Sequence, residues 1–332
     1  MTRTAGALLA GILLAALTGC VPAADAAPPT SEAPSPTASA TSEPTPVIAP
    51  KPAIAFDGSC PALVDDTTLS DVVGGDVTTS TDPESERVWA VAVLGGLECT
   101  WGSAASDPYV SLYVMPAAGL EAQVADAEAD SPFCYGRCSF STVVGGYWLS
   151  GIVGTADASS DTALEAIDAI TSRVADAAAS SAPVPAARPA GMWSAAIDCA
   201  ALASGLDTTS ILGEPFAAEP GGFGGEAAPG FYGSLRAIGD FPCAWSSPAS
   251  GRFFNSELLP GAGWAITELS GREGAAPVTV SGAVAAVAVP VGGVTAVYAT
   301  DGVNLAWVTV PGDIDQTSSG ALVSALMAAA SR

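Results

Sequence analysis

Histidine is absent from this 332-residue chain, and lysine occurs once, at Lys51. Without histidine, neither a Ser-His-Asp triad nor a Cys-His pair can form. A Ser-Lys dyad would depend on Lys51, which lies in a segment predicted to be disordered. No phosphate-cradling loop followed by lysine occurs either, so the sequence gives no support for nucleotide hydrolysis. These absences predict a protein that is not an enzyme and that uses no cofactor.

Basic side chains are also scarce. The chain has 10 Lys and Arg residues against 34 Asp and Glu residues, which gives a net charge of −24. Binding to a phosphate backbone requires a basic surface, so nucleic acid is not an expected partner. An anionic membrane surface should also repel such an acidic body. Any attachment to a membrane must therefore come from a separate anchor.

The apolar run from Ala5 to Leu17 is shorter than the roughly 20 residues that a membrane-spanning helix needs. Arg3 precedes this run, and Leu17-Thr18-Gly19-Cys20 follows it. The pattern resembles a secretory signal that ends in a bacterial lipobox, although an ordinary secretory signal is the alternative. It predicts a signal peptide over residues 1–19 and diacylation of Cys20, with palmitate-type chains holding the protein on the extracytoplasmic face of the cell membrane.

Two stretches are rich in proline and poor in large apolar residues. Residues 21–55 contain nine prolines among Ser, Thr, Ala and Glu. Such a composition offers too little apolar surface to offset the entropy of ordering. We therefore predict a disordered tether over residues 20–55, and a second, short Pro/Ala linker over residues 181–190.

A Cys/Trp pattern occurs twice between these stretches and the C-terminus. Each copy reads Cys-x-x-Leu, then a glycine 14 residues after the cysteine, then aliphatic-Gly-x-apolar-x-Cys-x-Trp. The residues are Cys60, Gly74, Cys99 and Trp101 in the first copy, and Cys199, Gly213, Cys243 and Trp245 in the second. Several matched spacings on one frame indicate an internal duplication. We predict two homologous α+β domains, over residues 56–180 and 191–332.

Hydrophobic periodicity gives each domain the same order of elements: a helix, strands, a short helix, strands and a closing helix. The fold class is therefore α+β, with a mainly antiparallel sheet flanked by N- and C-terminal helices in each domain. Residues 87–94 alternate around Trp89, Val91 and Val93 and are predicted to form a strand. The strand that follows places Cys99 and Trp101 on one face, so the indole should pack beside a disulfide.

Six cysteines remain when Cys20 is set aside, and they allow 15 pairings. The repeat selects one of them: Cys60–Cys99, Cys199–Cys243 and the remaining pair Cys134–Cys138. A metal site is the competing interpretation of the close pair. No second cysteine pair lies near it and the chain has no histidine, so no metal is predicted.

Two segments are candidate contact surfaces. The first is the Gly-rich stretch 215–241, which could meet a glycan, a lipid or a protein through Phe223, Glu226, Phe231 and Tyr232. The alternative is that Phe231-Tyr232 begins a strand and belongs to the core. The second is Arg137, which lies with Tyr135 inside the Cys134–Cys138 loop and could contact an anionic partner, or could be part of a simple hairpin staple.

Carboxylates are the remaining groups that could carry chemistry. The candidates are Asp65, Asp66, Asp76, Glu214, Glu219, Glu226, Asp313 and Asp315. A pair of them could serve a glycosidase, since the separation of two carboxylates is a property of the fold. Helix capping is the alternative, and it also competes with calcium binding at the short Asp clusters.

The lipobox, the Pro/Ser/Thr tether and the Cys-x-x-Leu…Cys-x-Trp frame resemble cell-envelope lipoproteins of actinobacteria, many of them in families of unknown function. The resemblance implies a location and a disulfide frame, and it carries over no functional residue. The sequence thus predicts a lipid-anchored extracytoplasmic binding or interaction protein. The alternatives are a carrier of a small or lipidic envelope ligand and a carboxylate-dependent hydrolase of wall glycans.

Structure can separate these three functions. A large apolar cavity would favour the carrier, and two carboxylates facing each other at roughly 5 to 10 Å would favour the hydrolase. A shallow surface with neither feature would favour a protein partner. The sequence leaves open whether the two domains dock on each other.

Overall fold

Two antiparallel sheets organise the chain, one in each half. The computed structural model describes residues 47–80, 88–194, 198–221, 228–310, 312 and 314–332. We call residues 47–180 half one and residues 191–332 half two. The predicted α+β class, with helices flanking each sheet, is confirmed.

Half one forms a sheet with the strand order β1-β2-β5-β4-β3. Its elements are α1 (Cys60–Leu63), α2 (Asp66–Val73), α3 (Val88–Val93), β1 (Leu97–Gly102), β2 (Tyr109–Pro116), α4 (Glu121–Ala129), β3 (Phe133–Tyr135), β4 (Arg137–Val144), β5 (Tyr147–Gly154) and α5 (Ser160–Ala178).

Half two forms a sheet with the strand order β6-β7-β8-β12-β11-β10-β9. Its elements are α6 (Cys199–Gly205), α7 (Thr208–Leu212), β6 (Ala217–Pro220), α8 (Pro229–Ile238), β7 (Phe241–Ser246), β8 (Phe253–Leu259), α9 (Ala265–Ser270), β9 (Ala276–Pro277), β10 (Ala285–Val291), β11 (Val294–Thr300), β12 (Leu305–Val310) and α10 (Gln316–Ala330). Apart from the additional strands β6 and β9, the order matches that of half one.

The glycines that the repeat places 14 residues after the cysteines end the N-terminal helices as predicted. Gly74 follows α2 with φ 75°, and Gly213 follows α7 with φ 80°. Only glycine adopts this left-handed conformation without strain, so each helix stops there. The start of α2 is fixed by Asp65, whose carboxylate accepts a hydrogen bond from the Thr68 amide at 3.0 Å.

The outer face of each sheet packs against the N- and C-terminal helices of its own half. The three predicted disulfides are present: Cys60–Cys99, Cys134–Cys138 and Cys199–Cys243. Trp101 and Trp245 are buried in the two outer cores beside them, as the Cys-x-Trp spacing predicts.

The inner faces of both sheets meet in one shared core, which answers the question the sequence left open. Helix α8 of half two packs on β4 and β5 of half one rather than on its own sheet. The amide of Gly230 donates to the buried Ser150 Oγ at 2.8 Å, and Gly233 lies directly over the indole of Trp148. Helix α4 covers the rest of this face. The described residues from 47 to 332 therefore belong to a single compact unit.

Helix α3 makes the reciprocal contact, and here the sequence prediction is wrong. Residues 88–93 form a helix instead of part of a strand over 87–94. The ring of Trp89 lies 6.1 Å from that of Tyr298 on sheet two, while Val91 adjoins Met115 on sheet one. Because the described side chains of this segment are buried on both sides, their alternation carried no information about an exposed face.

The prediction that the tether extends to residue 55 is also wrong at its C-terminal end. Residues 47–55 lie on the folded body as a strap that crosses both halves. The amide of Ala49 donates to Gly302 O at 2.7 Å, and that of Ala55 donates to Gly95 O at 2.9 Å. Ile48 and Ile54 pack against the shared core. The composition of the segment alone could not show this apolar contact, which orders the strap.

Lys51 holds the middle of this strap. Its ammonium lies 2.7 Å from a carboxylate oxygen of Glu268 and 4.7 Å from the centre of the Trp264 ring. Both charged groups are half exposed, so the ion pair contributes little compared with the apolar packing. The predicted signal peptide, Cys20 and tether residues up to 46 lie outside the described residues. In the described ranges, no helix is both long enough and apolar enough to span a membrane.

We expect Gly233→Ala to lower the free energy of unfolding by about 1–3 kcal/mol, because the added methyl would overlap the Trp148 ring at the seat of α8. The matched control is Gly205→Ala at the end of α6, where the new methyl has only the Ala329 methyl within 4 Å. That control should be neutral or slightly stabilising. Urea denaturation of the oxidised protein measures both. Equal effects would show that α8 does not depend on the close approach.

Separate expression of residues 47–190 and 191–332 should give chains without cooperative unfolding, since each would expose the part of its inner sheet face that the other half covers. A full chain cleaved within the 181–190 linker after folding is the control, and it should stay associated and melt as one unit. Thermal melts followed by near-ultraviolet circular dichroism give the answer. Independent cooperative melting of either half would contradict the shared core.

Candidate functional site

A disulfide-stapled hairpin at the edge of sheet one exposes two aromatic side chains. Cys134 on β3 stands directly opposite Cys138 on β4, and their disulfide points into the outer core, where Cys138 is fully buried. Since side chains alternate along a strand, Phe133 and Tyr135 point away from the disulfide. They are 65% and 84% exposed. We call residues 133–139 the stapled hairpin.

Arg137 ties the stapled hairpin to the segment just before β2, which agrees with the alternative of a hairpin staple, while its contact with an anionic partner stays a prediction. Its Nε donates to Asp107 Oδ1 at 2.7 Å, and its guanidinium lies 4.7 Å from the centre of the Tyr109 ring. Gly154 makes room for this pair, because a side chain there would overlap both Asp107 and Arg137. Arg137 therefore positions the hairpin, and its charge is already neutralised.

The Gly-rich stretch 215–241 is not a continuous loop. Phe231 lies on α8 and is fully buried against Tyr113 in the shared core. The alternative that it belongs to the core is therefore right, although the element is a helix and not a strand. Tyr232 is partly exposed on the same helix. Phe223 and Glu226 lie outside the described residues.

Several candidate carboxylates serve as helix caps. The carboxylate of Asp315 accepts from the Thr317 and Ser318 amides at the start of α10, as Asp65 does at the start of α2. The Ser318 amide lowers the pKa of Asp315, and the Thr68 hydroxyl lowers the pKa of Asp65. A general acid at neutral pH requires a raised pKa, so these groups are unsuited to that role.

The other described carboxylates hold local structure or face solvent. Asp66 accepts a hydrogen bond from Trp101 Nε1 at 3.0 Å, which locks the core indole. Glu214 binds Arg252 at 3.0 Å and accepts from the Ser247 hydroxyl, which lowers its pKa. Asp76 and Glu219 are exposed, and Asp313 lies outside the described residues. Within the part of the chain that the structure describes, no group of three His, Cys, Asp or Glu side chains could hold a metal ion.

Two clefts are present on the described surface. One, of about 160 Å³, lies between the strap and the 181–184 segment and contains a single carboxyl group, that of Asp57. The other, of about 310 Å³, lies at the edge of the outer core of half two, and none of its described lining residues is charged. We call it the outer cleft. Neither cleft holds two carboxylates that face each other.

The sequence interpretation singled out Arg137 and Tyr135 in the cysteine loop but missed Phe133. The signal was available, because Phe133 and Tyr135 flank Cys134 and must share a face if the segment is a strand. What the sequence could not give is that β3 is an edge strand, which leaves this face open to solvent.

Replacing Cys134 and Cys138 together by Ser should lower the free energy of unfolding by about 2 kcal/mol, against about 4 kcal/mol for Cys60 and Cys99, because the loop that the first pair closes is much shorter. The first variant should nevertheless become sensitive to protease at residues 133–137. Denaturation curves and limited proteolysis with mass mapping measure the two effects. A resistant hairpin in the serine variant would show that the disulfide does not hold it.

Comparison of the chain with models of protein families, with curated proteins and with solved structures found no match in any of the three.

Proposed function

We propose that this chain is a lipid-anchored, extracytoplasmic interaction protein whose stapled hairpin binds a protein partner. The observation that supports it is the exposure of Phe133 and Tyr135 on one face of a cross-linked edge strand. Aromatic side chains carry much of the binding energy at protein interfaces. A contact patch that is both aromatic and rigid loses little conformational entropy on binding.

Two independent restraints make the hairpin rigid. The disulfide cross-links the two strands of the hairpin, and the Arg137–Asp107 ion pair ties the hairpin to the segment just before β2. The pair is mostly buried, so solvent screens it less than a surface ion pair. A chain without a binding role for Phe133 and Tyr135 gains nothing from holding them in solvent, where their apolar area is unfavourable.

The position of the hairpin fits a chain anchored by its N-terminus. The strap contacts Gly95, next to the Leu97 end of β1. The stapled hairpin adjoins Tyr109, which pairs with Gly102 at the other end of β1. The stapled hairpin and the C-terminal end of the strap therefore lie toward opposite ends of β1. Extended residues 21–46 would allow a reach of about 80 Å from a lipid on Cys20.

A carrier with its pocket between the halves and a glycan hydrolase both find less support. A carrier with its pocket between the halves would need space that the shared core fills with Trp89, Trp148 and Phe231. A glycan hydrolase would need two facing carboxylates, whereas the described candidates act as caps or bind Arg252 and Trp101. The net charge of −24 also argues against nucleic acid as the partner. We therefore propose a binding role without catalysis or a cofactor.

A photo-cross-linking residue placed at Tyr135 should capture a protein partner on intact cells. The same residue at Phe253 is the matched control, because Phe253 is 62% exposed at a different sheet end, in half two. Equal capture at both positions would contradict a specific hairpin surface. Adducts with sugar or lipid at position 135 in place of protein would redirect the proposal to those ligands.

The double variant Phe133→Ser/Tyr135→Ser should bind the captured partner at least 100-fold more weakly, corresponding to about 3 kcal/mol for two aromatic anchors. Phe253→Ser should leave the affinity unchanged. Isothermal titration with purified partner measures both values. Because Phe133 and Tyr135 are exposed, the double variant should unfold at the wild-type denaturant concentration. Unchanged affinity in the double variant would refute the assignment of the hairpin.

A further inference from the structure

The outer cleft lies where half two departs from the packing of half one. Its floor consists of Ala288, Val297, Val310, Ile314 and Ser319, all buried, on strands β10 to β12 and the N-terminal part of α10. Exposed residues, including Thr295 and Gly312, form its rim. The volume of about 310 Å³ is at the lower end of the range for small-molecule sites.

The register of the two sheets shows which positions correspond. Trp148 pairs with Val143 across β5 and β4, and Trp307 pairs with Tyr298 across β12 and β11. Both tryptophans lie in the shared core, so the two pairs occupy the same place in each half. Positions at equal distances from these two pairs, counted along the strands, therefore correspond in the β4–β5 hairpin and the β11–β12 hairpin.

Five residues from these pairs, half one has the cross-strand pair Cys138 and Val153. Both are fully buried, and the Cys138 disulfide closes this end of the outer core against the start of α5. The same count in half two arrives at Gly293 and Gly312. Two side chains that seal the core in half one are therefore missing in half two.

The space that these glycines leave is real. A methyl group built on Gly293 or on Gly312 would meet no atom within 4 Å. Both glycines are exposed, and Gly312 is the one that lines the outer cleft.

We propose that the outer cleft is a binding site for a small uncharged molecule, or an uncharged group of one, with an apolar body. Among the described residues that line the cleft, no side chain is charged, and the net charge of −24 disfavours an anion. Thr295, Gln316 and Ser319 supply a few polar atoms to orient the ligand. At about 30 Å³ for a water-sized unit, the cleft holds on the order of ten non-hydrogen atoms. This site is separate from the stapled hairpin and does not depend on its partner.

The first test is a titration of the full chain carrying Cys20→Ser, secreted and oxidised, with ¹³C-labelled Val and Ile methyl groups. The probe is 4-methylphenol, and 4-methylbenzoate is an anionic probe with the same ring and methyl group. We expect saturable shifts of the Val297, Val310 and Ile314 methyl signals with the phenol, and at least 10-fold weaker binding of the benzoate. Absence of a saturable shift at these methyl groups would overturn the proposal, as would tighter binding of the anion.

The second test fills the cleft with the residues that half one uses. Thr295→Phe mimics Phe140 at the rim, because Phe140–Gly151 and Thr295–Val310 are the corresponding pairs. Gly312→Val mimics Val153. Each variant should weaken binding of 4-methylphenol at least 10-fold.

Val294→Phe is the matched control, because this neighbouring side chain points to the opposite face of β11. It should keep the wild-type affinity. Thr295 is exposed, so its variant should retain the methyl spectrum of the rest of the protein. If both filling variants bind the phenol as wild type does, the ligand lies elsewhere and the assignment is wrong.

Discussion

The close approach of helix α8 to sheet one is the contact on which the rest of the structure depends. Gly230 and Gly233 bring the helix backbone against Ser150 and Trp148, and no larger residue would fit there. Since α8 belongs to half two, this contact packs half two directly on the sheet of half one. Helix α3 of half one makes the reverse contact, because its Trp89 packs on Tyr298 of sheet two. The inner faces of both sheets are therefore buried in the same core.

Because side chains fill the shared core, the candidate sites lie at the surface of the protein. The shared core fills the seat of α8, and the described candidate carboxylates cap helices, hold local structure or face solvent. The stapled hairpin lies at the Cys138–Val153 end of the β4–β5 pair, and the outer cleft lies at the corresponding end of the β11–β12 pair. Half one closes this end with Cys138 and Val153 and displays aromatics outside, whereas half two places glycines there and stays open. One structural position thus gives two surfaces of different chemistry.

Much of the local structure could be predicted from the sequence. The three disulfides, the strands around Cys99 and Cys243, and the closing helices follow from spacing and periodicity. The matching order of elements agrees with a duplication, although common ancestry of the two halves stays a prediction. Of the candidate site, Tyr135 and the cysteine staple could be foreseen, whereas the pairing of Arg137 with Asp107 brings together residues 30 positions apart.

What the sequence by itself determined are features that neighbouring residues decide. Helix ends at Gly74 and Gly213, caps at Asp65 and Asp315, and short disulfide loops need little information from the rest of the chain. Only the tertiary structure decided that residues 88–93 are helical and that the 47–55 strap is ordered. Both segments owe their conformation to apolar contacts in the shared core. Hydrophobic periodicity detects an element that is buried on one face, and it does not identify an element that is buried on two faces.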